Sequence, residues 1–310
     1  MVDPKAIQDN VAEAVEGIGE DRLQPFMLDV SGLRGRLVRL GPSLDEVIDR
    51  HDYPPPVASL LAEVVLLGTV LAGGLKYDGI FTFQLKGDGP VSMMMMDITS
   101  GGELRAYTQL KAEAEIPSDP TLKTLVGKGY LAFTVDQGPD TDRYQGIVEL
   151  TGDTLSDSVQ HYFRQSEQVD TGIAVAVARL EAGWRGGAIV IQRLPDDQAQ
   201  VLGNRDEDDW RRAMVLLGSA TATELYDPSL PPNTLLFRLF HEDGVRVFSP
   251  SPIQFKCRCS DERIRRVLAS LPPQELVELS IDGEASVTCE FCNTTRTYSI
   301  DDIAQFRNQA

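Results

Sequence analysis

Residues 255–264 read FKCRCSDERI and residues 287–292 read VTCEFC, and these two stretches hold all four cysteines of the chain: Cys257, Cys259, Cys289 and Cys292. The 256 residues before them hold none. The spacing is C-x-C, then 29 residues, then C-x-x-C. Two close thiol pairs joined by a loop act as two pincers, and four thiolates suit one tetrahedral Zn²⁺. The loop between them, DERIRRVLASLPPQELVELSI, predicts one or two short helices that supply a small core around the metal. A unit of ~65 residues is close to the size at which a metal is commonly needed for stability, so metal binding and folding should be coupled here.

The same spacing supports two uses. Most Cys₄ sites are structural staples. A redox switch needs the same thiols, close enough to form disulfides once the metal is lost, after which the fold they supported collapses. Lys256 and Arg258 flank Cys257 and are expected to favour its thiolate. A thiol–disulfide oxidoreductase built on Cys289-Glu-Phe-Cys292 is a further reading. Against it, the pair lies near the chain end without the helix and βαβ frame of a thioredoxin-like site. A zinc ribbon that binds nucleic acid or a partner protein is a third, and the charge of the chain opposes it. The formal net charge is −18, which repels a phosphate backbone.

Outward from the cysteines, the 310 residues suggest two or three domains, and 42% hydrophobic residues supply ample core. The fold class expected is α+β. Residues 1–195 read as an N-terminal mixed α/β domain with an antiparallel-rich sheet, 196–245 as a metastable helical linker, and 246–310 as the small Cys₄ zinc domain. In the first part, a strand pair is expected around Leu33–Leu40. Ser43-Leu-Asp-Glu predicts a capping box for a short helix. Residues 57–74 are apolar nearly all round and predict a core helix. Residues 79–110 predict three strands joined by turns, with GDGP at 87–90 as a hairpin turn, and GKGYLAFTVDQ and RYQGIVEL predict two more. A helix starts after Thr151-Gly-Asp-Thr154, with Asp153 or Thr154 as N-cap, and runs to about Ser166. Two last strands, GIAVAVARLE and GGAIVIQRLP, bracket Gly183–Gly187, read as a hairpin turn. The linker carries ten acidic residues against four arginines and is only modestly apolar, so its helices depend on packing.

The N-terminus lacks a basic region followed by an apolar one, so no secretory signal is expected there. The longest apolar run, Val64–Leu75, is 12 residues, short of the ~20 that span a bilayer. A cytoplasmic protein with neither membrane nor nucleic-acid partners is expected. In that compartment thiols stay reduced, which favours metal or redox roles over structural disulfides. Elsewhere, Met93–Met96 reads as a strand alternating between core and a covered face. His51, His161 and His241 are scattered and read as surface or packing residues. Asp206–Asp209 reads as a solvated acidic run. No G-x-x-x-x-G-K-[ST] occurs, so no P-loop ATPase is encoded.

The tail FKCRCSDERIRRVLASL…VTCEFC resembles the redox-regulated heat-shock chaperones, the thirty-three-kilodalton chaperonin family of bacteria. HDYPPPVASLLAE, LKYDGIFTFQLKGDGP, EIPSDPTLKTLVGKGY, RYQGIVELTGDTL, YFRQSEQ and LLFRLFHEDGVRVF match in order, so the resemblance covers essentially the whole chain. It implies a non-enzymatic, ATP-independent holdase. In the reduced, inactive state, Cys257, Cys259, Cys289 and Cys292 bind one Zn²⁺. Oxidation, usually with heat, releases it and forms the disulfides Cys257–Cys259 and Cys289–Cys292. The linker and C-terminal unit then unfold, the active form dimerises, and unfolded clients are held and passed to ATP-driven foldases. In one departure, Arg296 stands where the family often carries an aromatic residue, which alters the packing expected around the metal.

Overall fold

The computed structural model describes residues 20–138, 141, 143–193, 207–278 and 280–309. The N-terminal stretch read above, the boundary at Pro195 and the first part of the acidic segment, Asp206 included, lie outside them. The chain divides into one unit ending at Phe255 and a second beginning at Lys256.

The first unit opens with antiparallel strands β1 (Arg22–Leu28) and β2 (Leu33–Leu40). The expected strand pair is therefore longer than read, and Leu33–Leu40 is one of its two strands. Helix α1 (Pro42–Ile48) follows, and here the capping box is overturned. Gly41 is the N-cap, and Ser43 lies inside the helix. The buried carboxylate of Asp21 accepts from the N–H groups of Gly41 and Ser43, both at 2.6 Å. A carboxylate at a helix start satisfies orphan donors and complements the dipole, so the cap comes from a residue 20 positions upstream. The Ser43 hydroxyl instead accepts from the Phe255 N–H at 3.1 Å.

Helix α2 (Pro55–Ala72) is the buried core helix the sequence predicts. Val64, Val65, Leu66 and Leu67 are all fully inaccessible, which only a helix enclosed on every side achieves. Among the described residues it is the one helix long and apolar enough to cross a membrane, and it is spent on the core. After it come β3 (Ile80–Gly87), β4 (Val91–Thr99), β5 (Glu103–Leu110), the short α3 (Leu122–Val126), β6 (Gly129–Asp136) and β7 (Tyr144–Glu149). Helix α4 (Leu155–Tyr162) has Thr154 as N-cap with Asp157 completing a capping box, as read, and continues as one π-helical turn over Phe163–Glu167. Strands β8 (Thr171–Leu180) and β9 (Gly183–Gln192) form the last hairpin. Its turn is at 181–182, so Gly183–Gly187 is strand rather than turn. The reason is close packing: a Cβ on Gly187 would sit 2.0 Å from the Leu225 carbonyl oxygen.

Helices α5 (Glu207–Gly218), α6 (Ala222–Tyr226) and α7 (Pro232–Phe240) follow, then short strands β10 (Val245–Val247), β11 (Ser251–Pro252) and β12 (Gln254–Phe255). The strands make two sheets. One runs β10-β1-β2-β9-β8, with β11 also on β1, and is antiparallel throughout. The other runs β12-β5-β4-β3-β6-β7. Helix α2 lies between them, touching β2, β8 and β9 on one side and β3, β4 and β5 on the other. Met94 and Met96 are fully buried toward this core while Met93 and Met95 are half-buried, the alternation read from the run.

The first sheet is covered on both faces. Val38, Ala188 and Val190 pack in the α2 core, while Leu37, Ile189 and Ile191 pack against Ala213, Leu217, Leu225, Leu235, Leu236, Leu239 and Phe240 of α5–α7. That is why β9 reads GGAIVIQ rather than as a strict alternation. Arg39, itself buried, donates to the carbonyls of Asp227 and Leu230 (2.5 Å each) and Glu224 (2.6 Å), tying β2 to the covering helices.

Candidate metal centre

The second unit is built around the cysteines. Cys257 and Cys259 lie on an irregular segment that ends at Ser260, the N-cap of helix α8 (Asp261–Ser270). Ser260 Oγ accepts from the Arg263 N–H at 3.2 Å, so the cap fixes the chain direction one residue after Cys259. Helix α9 (Pro273–Glu278) and strand β13 (Ser280–Ile281) lead into the hairpin β14 (Glu284–Thr288) and β15 (Thr295–Ser299), and α10 (Ile300–Gln309) closes the unit. Cys289 and Cys292 occupy the hairpin turn. The Cys289 N–H donates to the Thr294 carbonyl at 3.0 Å, and the Asn293 N–H donates to the Cys289 carbonyl at 2.8 Å with Asn293 in the left-handed region. A strand follows Cys292, not a helix, so the helix N-terminus that activates a thioredoxin-like cysteine is missing here.

All four sulfurs lie within 4.8 Å of one another, and all four are free thiols. Cys257 and Cys289 sulfurs are 3.7 Å apart, and those of Cys259 and Cys292 are 3.6 Å apart. A tetrahedron with metal–sulfur bonds of ~2.3 Å has edges of about 3.8 Å. The four residues therefore fit a metal ion in both donor chemistry and spacing, and the structure brings together all four cysteines singled out in the sequence.

The thiols are not equivalent. Burial pushes Cys257 up to about 12, so the flanking Lys256 and Arg258 do not make it the readiest thiolate. Burial also raises Cys289. At Cys292 burial acts the same way, but hydrogen bonding to the Thr294 side chain and backbone and to the Cys257 and Cys259 thiols outweighs it and brings the group down to about 6. Arg296, singled out as a departure, donates to the Cys259 sulfur at 3.4 Å. The guanidinium thus hydrogen-bonds a sulfur where an aromatic ring would only pack. Neither Thr294 nor Asp261 was singled out from the sequence. Asp261 accepts from the Tyr298 hydroxyl at 2.9 Å, and no spacing rule announces such a contact across 37 residues.

Few apolar groups support this unit. Among the described residues its buried core cluster is Leu268, Leu276, Ala285, Tyr298 and Ile303. Arg307 donates from Nε to the Ala269 carbonyl (2.8 Å) and from Nη2 to the Leu271 carbonyl (2.6 Å), closing the end of α8. The histidines take no part: His51 stacks on Tyr53 with centroids 4.7 Å apart, His161 lies in the last turn of α4, and His241 is exposed beyond α7.

The comparisons with known proteins agree in direction. The family described as Hsp33 protein matches residues 21–300. A 33 kDa chaperonin of Caulobacter vibrioides (strain NA1000 / CB15N) is 40% identical over 295 residues, covering 92% of this chain and 96% of its own. A 33 kDa chaperonin of Escherichia coli (strain K12 / DH10B) is 35% identical over 291 residues, covering 94% and 96%. Among solved structures, the crystal structure of the 33 kDa chaperonin (heat shock protein 33 homolog) from Thermotoga maritima has a similar fold. Its TM-score is 0.79 at 19% identity, covering 94% of this chain and 99% of that one.

Proposed function

The chain belongs to the Hsp33 family of chaperones, and from that premise we propose that it is a redox-regulated, ATP-independent holdase of the cytoplasm, not an enzyme. The observation that carries the proposal is the convergence of four free thiols in a unit with a small buried core among the described residues. Cys257, Cys259, Cys289 and Cys292 are proposed as the ligands of one Zn²⁺ and as the redox sensors. When bound, the ion supplies the cross-links that so small a core lacks.

Oxidation removes the donors. Each pair of thiols, proposed as Cys257 with Cys259 and Cys289 with Cys292, loses two protons and two electrons as one S–S bond forms, and a peroxide oxidant is reduced to two waters. The Cys292 thiol, already low, is the readiest to attack. Without its four thiolates the second unit loses what holds it, and the proposed consequence is unfolding of that unit and of the 196–245 linker before it. The part of that linker described in the structure carries α5–α7. Their release would uncover Phe26, Leu28, Leu33, Leu37, Ile189 and Ile191 on one sheet face, a contiguous apolar surface suited to unfolded clients. Dimerisation of the oxidised form and transfer of clients to ATP-driven foldases complete the proposed cycle.

The test follows light scattering of a thermally unfolding client such as citrate synthase. Reduced, metal-loaded protein is compared with protein treated with peroxide at raised temperature, and free thiols and released metal are counted in the same samples. Suppressed aggregation together with loss of four thiols and about one metal per chain is expected. Loss of thiols and metal with no gain in holdase activity would make the site a staple and end the proposal.

A further inference from the structure

Helix α2 stops at Ala72, but the sheet face beneath it runs on. Past the helix end that face turns from apolar to cationic. Arg34 and Arg36, two apart on β2, share it with Gln192, which stands opposite Arg34 on β9. Phe163 and Glu167 of the π-helical turn, together with Arg193, help to enclose a cavity of about 540 Å³ over these groups. Three guanidinium groups and one carboxylate line it.

Arg36 is the unexplained member. It is 9% exposed, and among the described residues its Nε has no hydrogen-bond partner. Its Nη2 donates to Gln192 Oε1, a neutral group. Its Nη1 lies against the backbone of Gly74, where a Cβ would approach to 1.8 Å, so the chain leaves room for the guanidinium and nothing more. Burial and the neighbouring Arg34 push Arg36 down to about 10, as for a cation with no counter-ion among the described residues. The nearby carboxylates are engaged elsewhere. Glu167 accepts from the Tyr144 and Tyr162 hydroxyls at 2.6 and 2.7 Å, and Arg193 is paired with Glu207 at 3.3 Å and Asp170 at 3.6 Å. Buried charges are normally paired, and this one faces an open cavity.

We propose that this cavity is a binding site for a small phosphate-bearing anion, with its oxyanion held by Arg34 and Arg36, while Arg193, already paired with Glu207 and Asp170, lines the same cavity. Guanidinium groups bind phosphate oxygens in bidentate fashion, which accounts for arginine at both positions 34 and 36. The volume falls in the range of roughly 300–1,000 Å³ typical of small-molecule sites, so a phosphate monoester of mononucleotide size fits, with Phe163 as an apolar wall. A chain of net charge −18 repels anions at a distance, so only converging cations of this kind retain one. The site includes none of the cysteines, and among the described residues it touches the covering helices only through the Arg193–Glu207 pair and Phe26.

The test uses the full-length, reduced, metal-loaded chain. Inorganic phosphate, adenosine monophosphate and tripolyphosphate are titrated calorimetrically at fixed ionic strength, with melting temperature followed in parallel. One saturable site per chain is expected, with a melting temperature that rises as it fills. Arg36→Met should bind at least roughly tenfold more weakly yet melt no lower than the parent without ligand, because it removes an unpaired buried cation. Arg34→Gln, at an exposed side chain, should also weaken binding and serves alone if Arg36→Met does not fold. Tighter binding of the nucleotide than of phosphate places the organic group in the cavity, and equal binding means that only the oxyanion is read; either supports the site. Absence of saturable binding by all three probes, or affinity unchanged in both variants, overturns it.

Discussion

One sheet of this molecule is covered by two kinds of helix. On one face lies α2, with Glu63 as its single charged residue and 14 of its 18 residues buried. On the other lie α5, α6 and α7, of 12, 5 and 9 residues, which bury only one side each and begin with the acidic run Glu207-Asp208-Asp209. A helix like α2 has no stable existence in water, so it leaves the core only when the unit unfolds. The covering helices are amphipathic and short. They can detach into water and lose helicity, at the cost of their seven core side chains and of local ties such as Arg39 to three carbonyls and Arg212 to the buried Asp243. The two faces therefore differ in how reversibly they open. The cysteine unit is a third case, in which a small apolar core is joined by four converging thiols.

The largest test of this contrast removes the metal. Chelation of the reduced protein, or Cys289→Ser, should unfold residues 256–310, since structural Zn²⁺ contributes about 10–16 kcal/mol to folding of small domains. Hydrogen exchange should show α8 and β14 losing protection while α2 keeps it. Full protection of β14 after chelation would show that the apolar core suffices and would remove the metal's structural role. A smaller effect, of about 2–5 kcal/mol each, is expected from truncating one leucine on either face of the sheet. Leu67→Ala should lower the global denaturation midpoint. Leu236→Ala should raise exchange locally in α5–α7 and give holdase activity without oxidation. Identical global losses from both, with no local opening, would mean that the two coverings are one cooperative structure.

Much of this contrast is legible in the sequence, and the reasons differ by element. Residues 57–74 announce a buried helix because nothing polar interrupts them but Glu63 and small hydroxyls, although the helix itself spans 55–72, and the Met run announces its own alternation. The four cysteines announce their site because few residue types offer soft donors, and close pairing needs no knowledge of the fold. What was not legible depends on long-range contacts. Asp21 caps a helix that Ser43 was expected to cap, because the carboxylate arrives from the residue just before β1. The glycines at 183–187 serve the approach of Leu225 rather than a turn, since glycine supports both and only the packing decides. Arg296 was noted as a departure, but its hydrogen bond to Cys259 appears only when β15 is placed.

The smallest prediction tests whether α2 is as inert as the comparison holds. Glu63 lines a groove shared with Asp153, Asp157 and Gln160, and burial pushes its carboxyl up to about 7 from an ordinary 4.5. Below pH 4.5 it is protonated in both the folded and the unfolded chain and costs nothing. Between pH 4.5 and 7 the unfolded chain ionises while the folded one keeps its proton, so stability falls by about 1.4 kcal/mol per pH unit across that window. Above it the penalty is constant, at most ~3 kcal/mol. Glu63→Gln removes the titration. Its urea midpoint should match the parent at about pH 4 and exceed it at about pH 8, with the gain opening between those values. A difference that stays flat across this range would mean that water reaches the carboxylate in the folded chain. The α2 side of the sheet would then have a hydrated groove of its own, and the contrast between its two coverings would be one of degree.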